Sequence, residues 1–246
     1  MESFPPINTV SFTKETMKLK SIYNTCLREV GGIQNEDVQW YLNDRPKKIS
    51  RSSFFEAAVF AIWVSGLKRK SVESFLANAE KNGFSWNYLK MANIPTQKWI
   101  YFKRKLHGRP VPKIVNGKWD SIRQISQKLH QYQNELDFRN EWFSKKILSS
   151  RLDNIDIDRL RKMKLGYIGP ANSHFIIRNM GGEALKRDRW IEAFLNYYHL
   201  SSQQLIDKLN KLGLAVGLFD LVIWAYCEKQ VKKVSNFNSH FKKVFV

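Results

Sequence analysis

Cysteines, acidic residues and long apolar runs are all scarce in this chain, and each shortage removes a class of protein. Only two cysteines occur in 246 residues, Cys26 and Cys227. An iron–sulfur cluster takes about four thiolates, so none is expected. The two lie too far apart in sequence for a CxxC motif, and are expected to be buried, reduced thiols of a cytoplasmic protein. No apolar run reaches the ~18 residues that would suggest a membrane span. The first residues, MESFPPINTV, lack the basic region and apolar run of a signal peptide. No His/Cys cluster suggests a metal held by side chains. Strict apolar/polar alternation is missing, so no sheet is expected and the fold class is all-α. Internal repeats and low-complexity segments are absent as well.

The shortage of acid is the most informative. Asp and Glu number 22 against 41 Lys and Arg, a net charge of +19. A chain this basic is usually built to meet a polyanion, with nucleic acid the leading partner and a generally basic or ribosome-associated surface the plainer alternative. An aromatic content of 13% argues against a disordered basic tail.

Met1–Val10 reads as a loose arm. Thr13–Val30 reads as a helix, capped by Thr13 and ended by Gly31-Gly32. Glu36–Leu42 is a short helix or turn, and the polar Asp44–Ser52 is a candidate boundary between lobes. Ser53–Gly66, SFFEAAVFAIWVSG, is apolar nearly all round, so it is expected to be a central helix buried on several faces. Further helices are expected over Val72–Lys81, Asn87–Met91, Thr96–Leu106, Asp120–Gln133, Leu136–Leu148 and Ile155–Met163. Gly108–Gly117, with two prolines, reads as a loop. The tail from Val231 is expected to pack on the core or to touch a phosphate.

The stretch Leu165–Trp190, LGYIGPANSHFIIRNMGGEALKRDRW, carries the chemistry. Gly166 can stop the preceding helix in a left-handed conformation. Pro170 suits the first position of a second helix, where its missing N–H costs nothing. Ile168 is the apolar plug between the helices. Backbone N–H groups at the start of the second helix can hold a phosphate, although an ordinary helical corner would read the same way. Gly181-Gly182 breaks that second helix. Asp188 follows nineteen positions after Gly169, among Lys186, Arg187 and Arg189. An Asp there is also a natural N-cap for a helix starting at Arg189.

LGYIGPANS resembles the hairpin of the helix-hairpin-helix DNA glycosylases, in which a glycine turn and a catalytic Asp follow at a similar remove. The likeness spans roughly residues 53–200, with sharp motifs only in 165–190. Two departures stand out: Tyr167 replaces the family's first hairpin glycine, and Gly166 replaces the proline before it. The lyase members' Lys corresponds to Ala171 here, and the cysteine cluster of some members is missing.

The resemblance implies an all-α fold of two helical lobes, residues 52–187 and residues 1–51 with 188–246, with a DNA-binding cleft between them. It implies a monofunctional glycosylase that flips out a modified or damaged base and hydrolyses its N-glycosidic bond. Asp188 would stabilise the oxocarbenium-like transition state and activate water. Lys164, Gly166, Ile168, Gly169 and Ala171 would meet the DNA phosphate, and Lys68, Arg69, Lys70, Arg187 and Arg189 would add basic contacts. Candidates for the base pocket are Trp40, Phe55, Trp63, Ser65, Asn172 and Trp224. His174 is expected to be packed or capping rather than catalytic. No cofactor is implied beyond a monovalent cation at hairpin carbonyls. The partner would be double-stranded DNA bearing a modified base, met by a monomer in the cytoplasm or nucleoid, either in repair or in defence against phage DNA with modified cytosines. The alternatives are a non-catalytic DNA-binding hairpin protein and a bifunctional glycosylase/lyase using Lys186.

Overall fold

A computed structural model describes residues 14–46, 49–65, 67, 69–108, 110–143, 154–182 and 184–245. Among them every regular element is a helix, so the described fold is all-α. In order these are α1 (Lys14–Val30), α2 (Glu36–Gln39), α3 (Arg51–Val64), α4 (Arg69–Lys81), α5 (Tyr88–Ala92), α6 (Thr96–His107), α7 (Lys113–His130), α8 (Glu135–Phe143), α9 (Asn154–Lys162), α10 (Pro170–Asn179), α11 (Arg189–Tyr197), α12 (Ser202–Lys211), α13 (Val216–Tyr226) and α14 (Phe237–Phe245). No single described helix is long and apolar enough to cross a membrane. The N-terminal arm, the Thr13 cap, Gly66, Lys68 and the expected helical residues 144–148 lie outside the described residues.

The chain divides into two compact units. One is Trp40–Asp188; the other joins the segment up to Gln39 with Arg189–Val246. The first division falls at Gln39/Trp40, earlier than the expected 51/52. The segment before α3 is tied to its own unit: Tyr41 and Ile49 are buried, and the Pro46 carbonyl lies close against Gly181.

In the Trp40–Asp188 unit, α3 is the central helix. Phe54, Phe55, Ala58, Ala61 and Ile62 are almost wholly inaccessible, and the helix packs on both α7 and α10. Its start is fixed by a capping box: the Ser50 hydroxyl accepts from the Ser53 N–H, and Ser53 Oγ accepts from the Ser50 N–H. Its end is fixed by a buried cation. Lys118 Nζ donates to the carbonyls of Trp63 (3.2 Å) and Ser65 (2.7 Å), where the helix dipole favours positive charge. Trp63, Phe75, Phe84, Trp86, Trp99 and Trp119 pack ring against ring beneath it.

The second half of the expected Gly108–Gly117 loop, from Lys113, is helix. Pro112 occupies the N-cap of α7, so the prolines mark its start rather than break it. Gly117 lies inside the helix, where the Tyr167 ring occupies the space a β-carbon would take.

In the other unit α1 packs on α13, and Cys26 and Cys227 are both fully buried free thiols. Burial, reinforced by the neighbouring Cys227, pushes the Cys26 thiol up, which makes it unreactive. α11 buries Trp190, Ile191, Phe194 and Leu195. The tail does pack: α14 buries Phe237 and Phe241, whose rings stack at 4.0 Å.

Candidate nucleic-acid interface

The hairpin begins where α9 runs out. Lys164 (φ 51°) and Tyr167 (φ 60°) take the left-handed conformations, not Gly166. Gly166 is needed for a different reason: a β-carbon there would collide with the Ser121 hydroxyl of α7. Leu165 and Ile168 are buried, and the Ile168 N–H donates to the Leu165 carbonyl at 3.1 Å. The four residues form a turn with positive φ at its third position, the place a type II turn reserves for glycine. A non-glycine residue there costs of order 1–3 kcal/mol unless its surroundings hold it. Tyr167 is held. Its hydroxyl donates to the Ile114 carbonyl (3.0 Å), and Asn172 Nδ2 donates to its own carbonyl (2.6 Å).

α10 then starts as the sequence predicts. Gly169 is the extended N-cap and Pro170 the first helical residue. The first intrahelical bond runs from the Ser173 N–H to the Gly169 carbonyl at 2.9 Å, so the Ala171 and Asn172 N–H groups precede the ladder. Gly169 and Pro170 are exposed, and nothing lies within 4 Å of a β-carbon built on Gly169. Of the expected phosphate contacts, Ile168 is the exception. Its N–H is used within the turn and its side chain is core.

α10 ends in a Schellman turn. The Gly182 N–H donates to the Ile177 carbonyl and the Gly181 N–H to the Arg178 carbonyl, with Gly181 at φ 85°. The chain returns along α10 to Asp188. There Lys186 Nζ lies 3.6 Å from Asp188 Oδ2, with the two side chains 18% and 15% exposed. The same ammonium sits 4.7 Å over the Phe175 ring of α10, and Phe175 stacks on Phe60 of α3. A mostly buried carboxylate and a cation are thus set beside the hairpin's second helix.

His174, also on α10, is pushed below the usual histidine range, first by burial and then by Arg187 and Arg161; Asp158 and the Leu185 backbone oppose this. The ring is half-buried on α10 among these neighbours.

Several other expected contacts change. Trp63 and Phe55 are core residues, 2% and 1% exposed, and cannot face a base. The Ser65 carbonyl serves Lys118, and the Asn172 amide braces the turn. Trp40 and Trp224 remain partly accessible, but they belong to different units. Arg69 pairs with Glu73 at 2.6 Å, and Arg189 with Glu228 at 2.6 Å. Lys103, the first of the basic run Lys103-Arg104-Lys105, is buried and bonded to Asp120 at 2.9 Å. Lys70, Lys164 and Arg187 are exposed.

No group of three or more His, Cys, Asp or Glu gathers as a metal site among the described residues. The hairpin carbonyls of Leu165, Tyr167 and Gly169 accept hydrogen bonds within the motif.

Sequence reasoning missed the partners that hold the hairpin: Ser121, Gly117 and the Ile114 carbonyl. Ile114 and Gly117 fall in the segment that reads as a loop from its two prolines. Comparison with protein-family models, curated proteins and solved structures finds no match to this chain.

Proposed function

We propose that the chain is a monofunctional DNA glycosylase acting on a modified or damaged base. The observation that carries this reading is the partly buried Asp188 carboxylate set alongside the second helix of an open-ended hairpin. The hairpin supports a grip on one phosphate through the Ala171 and Asn172 N–H groups. That grip fixes a strand in register but performs no chemistry. The carboxylate supplies the chemistry. Positive charge develops on the deoxyribose as the N-glycosidic bond breaks, and an ionised carboxylate stabilises it. The carboxylate then takes a proton from the attacking water, leaving a free base and an abasic site.

Lys186 favours this hydrolytic reading over the lyase alternative. A Schiff base needs a neutral, unpaired amine, whereas the Lys186 nitrogen is held between a carboxylate and an aromatic face.

The test is incubation with genomic and phage DNAs carrying different modified bases, with mass spectrometry of the released base. Asp188→Asn should still bind DNA and yield no alkali-labile abasic sites. Release of no base from any DNA, with binding intact, would leave a non-catalytic hairpin protein.

A further inference from the structure

Beside the hairpin tip the surface of the Trp40–Asp188 unit opens into a hollow of about 580 Å³, lined by Lys113, Ile114, Asn116, Gly117, Asp120 and Tyr167. None of the roles assigned above uses it as a site. It is broad and open to solvent rather than an enclosed cavity.

The chemistry of its walls is mixed in a particular way. Tyr167 offers a flat ring, fixed in place by its bond to the Ile114 carbonyl and by the close approach to Gly117, yet still 36% exposed. Ile114, 62% exposed, adds an aliphatic surface. Asn116 brings an amide. Asp120 brings a carboxylate that Lys103 tethers at 2.9 Å. Lys113 adds a cation.

A bare phosphate would not choose this set, because it would leave the aromatic and aliphatic walls unused. A nucleobase would. Aromatic and apolar walls take its π-face, an amide pairs with donor and acceptor edges, and a carboxylate accepts from an exocyclic amino group. The location agrees: Tyr167 lies two residues before Gly169, at the mouth of the proposed phosphate grip.

We propose that this hollow seats an unstacked nucleobase of the DNA strand that the hairpin holds. Tyr167 and Ile114 form the stacking surface, Asn116 and Asp120 meet the base edge, and Lys113 meets the flanking phosphate. The proposal rests on the DNA-binding reading above.

The test uses oligonucleotides carrying 5-iodouracil at successive unpaired positions. Irradiation should crosslink one position to the Lys113–Asp120 or Tyr167 peptide. Ile114→Ala and Asn116→Ala, both at accessible positions, should weaken binding of strands with an unpaired base roughly five- to fiftyfold and leave fully paired duplex binding unchanged. Intact DNA binding with no such crosslink, and with both variants like wild type, would overturn this inference and spare the parent reading. Loss of all DNA binding by the wild-type chain would overturn both. Free nucleoside monophosphates present the same chemistry, so tight binding of these with no gain from a strand would overturn the assignment to DNA.

Discussion

At Gly166 one hydrogen atom separates a fitting hairpin from a colliding one. A β-carbon there meets the Ser121 hydroxyl, and Ser121 is itself buried on α7. Overpacking of this kind typically costs ~1–3 kcal/mol. Gly166→Ala should therefore lower the melting temperature by roughly 2–10 °C. Ser121→Ala should restore part of that loss when combined with it, because the two sites are coupled. Additive effects in thermal unfolding would show that the hairpin and α7 do not meet as described. A glycine is legible in the sequence, but its reason is not. Gly166 reads as a helix stop with positive φ. That conformation in fact falls on Lys164 and Tyr167, and the glycine answers a neighbour some forty-five positions earlier in the chain.

Among the elements, α10 carries the most. It supplies the N-terminus of the grip, the Phe175 face under Lys186, and half-buried His174. The folded chain holds His174 below the usual range, so the unfolded chain takes up that proton first as pH falls. Stability is then level above the unfolded pKa of about 6.5 and declines with acidification below it. Denaturant unfolding from about pH 7.5 to 5 should show this decline, shallower in His174→Gln; superimposed profiles would refute it. His107 and His240 are shifted the same way, so the contribution of His174 is the difference between the two profiles. Periodicity and caps made α3, α6 and α10 readable in advance, since their signals are local. The start of α7 was not readable, because two prolines imitate a loop. The helix there is held by packing remote in sequence: α7 lies on α3 and α5, and Tyr167 lies against Gly117.

For the whole molecule, net charge overstates the surface available to a polyanion. Of the 41 basic residues, Lys118 and Lys103 are buried, and Arg51, Arg69 and Arg189 are in ion pairs. If roughly six phosphates are still neutralised, the logarithm of the DNA-binding constant should fall with the logarithm of salt at a slope near −5. Titrations at several salt concentrations measure it, and a slope shallower than about −1 would mean that the exposed lysines and arginines do not follow the backbone. The basic character was open to inspection from composition, and the all-helical class from the missing period-two alternation. Which cations point outward was not, because burial depends on partners such as Asp120 and the α3 carbonyls, which are remote in sequence.

The discontinuous unit has a consequence during synthesis. α1 leaves the ribosome early, but its packing partner α13 is encoded after the whole of Trp40–Asp188. At roughly 5–20 residues per second, α1 waits on the order of ten seconds or more with Ile22, Cys26 and Val30 uncovered, while the inserted unit has all of its own chain in hand and can close first. The nascent protein is therefore most vulnerable to aggregation and to thiol oxidation at Cys26 during that interval, and the finished fold hides both.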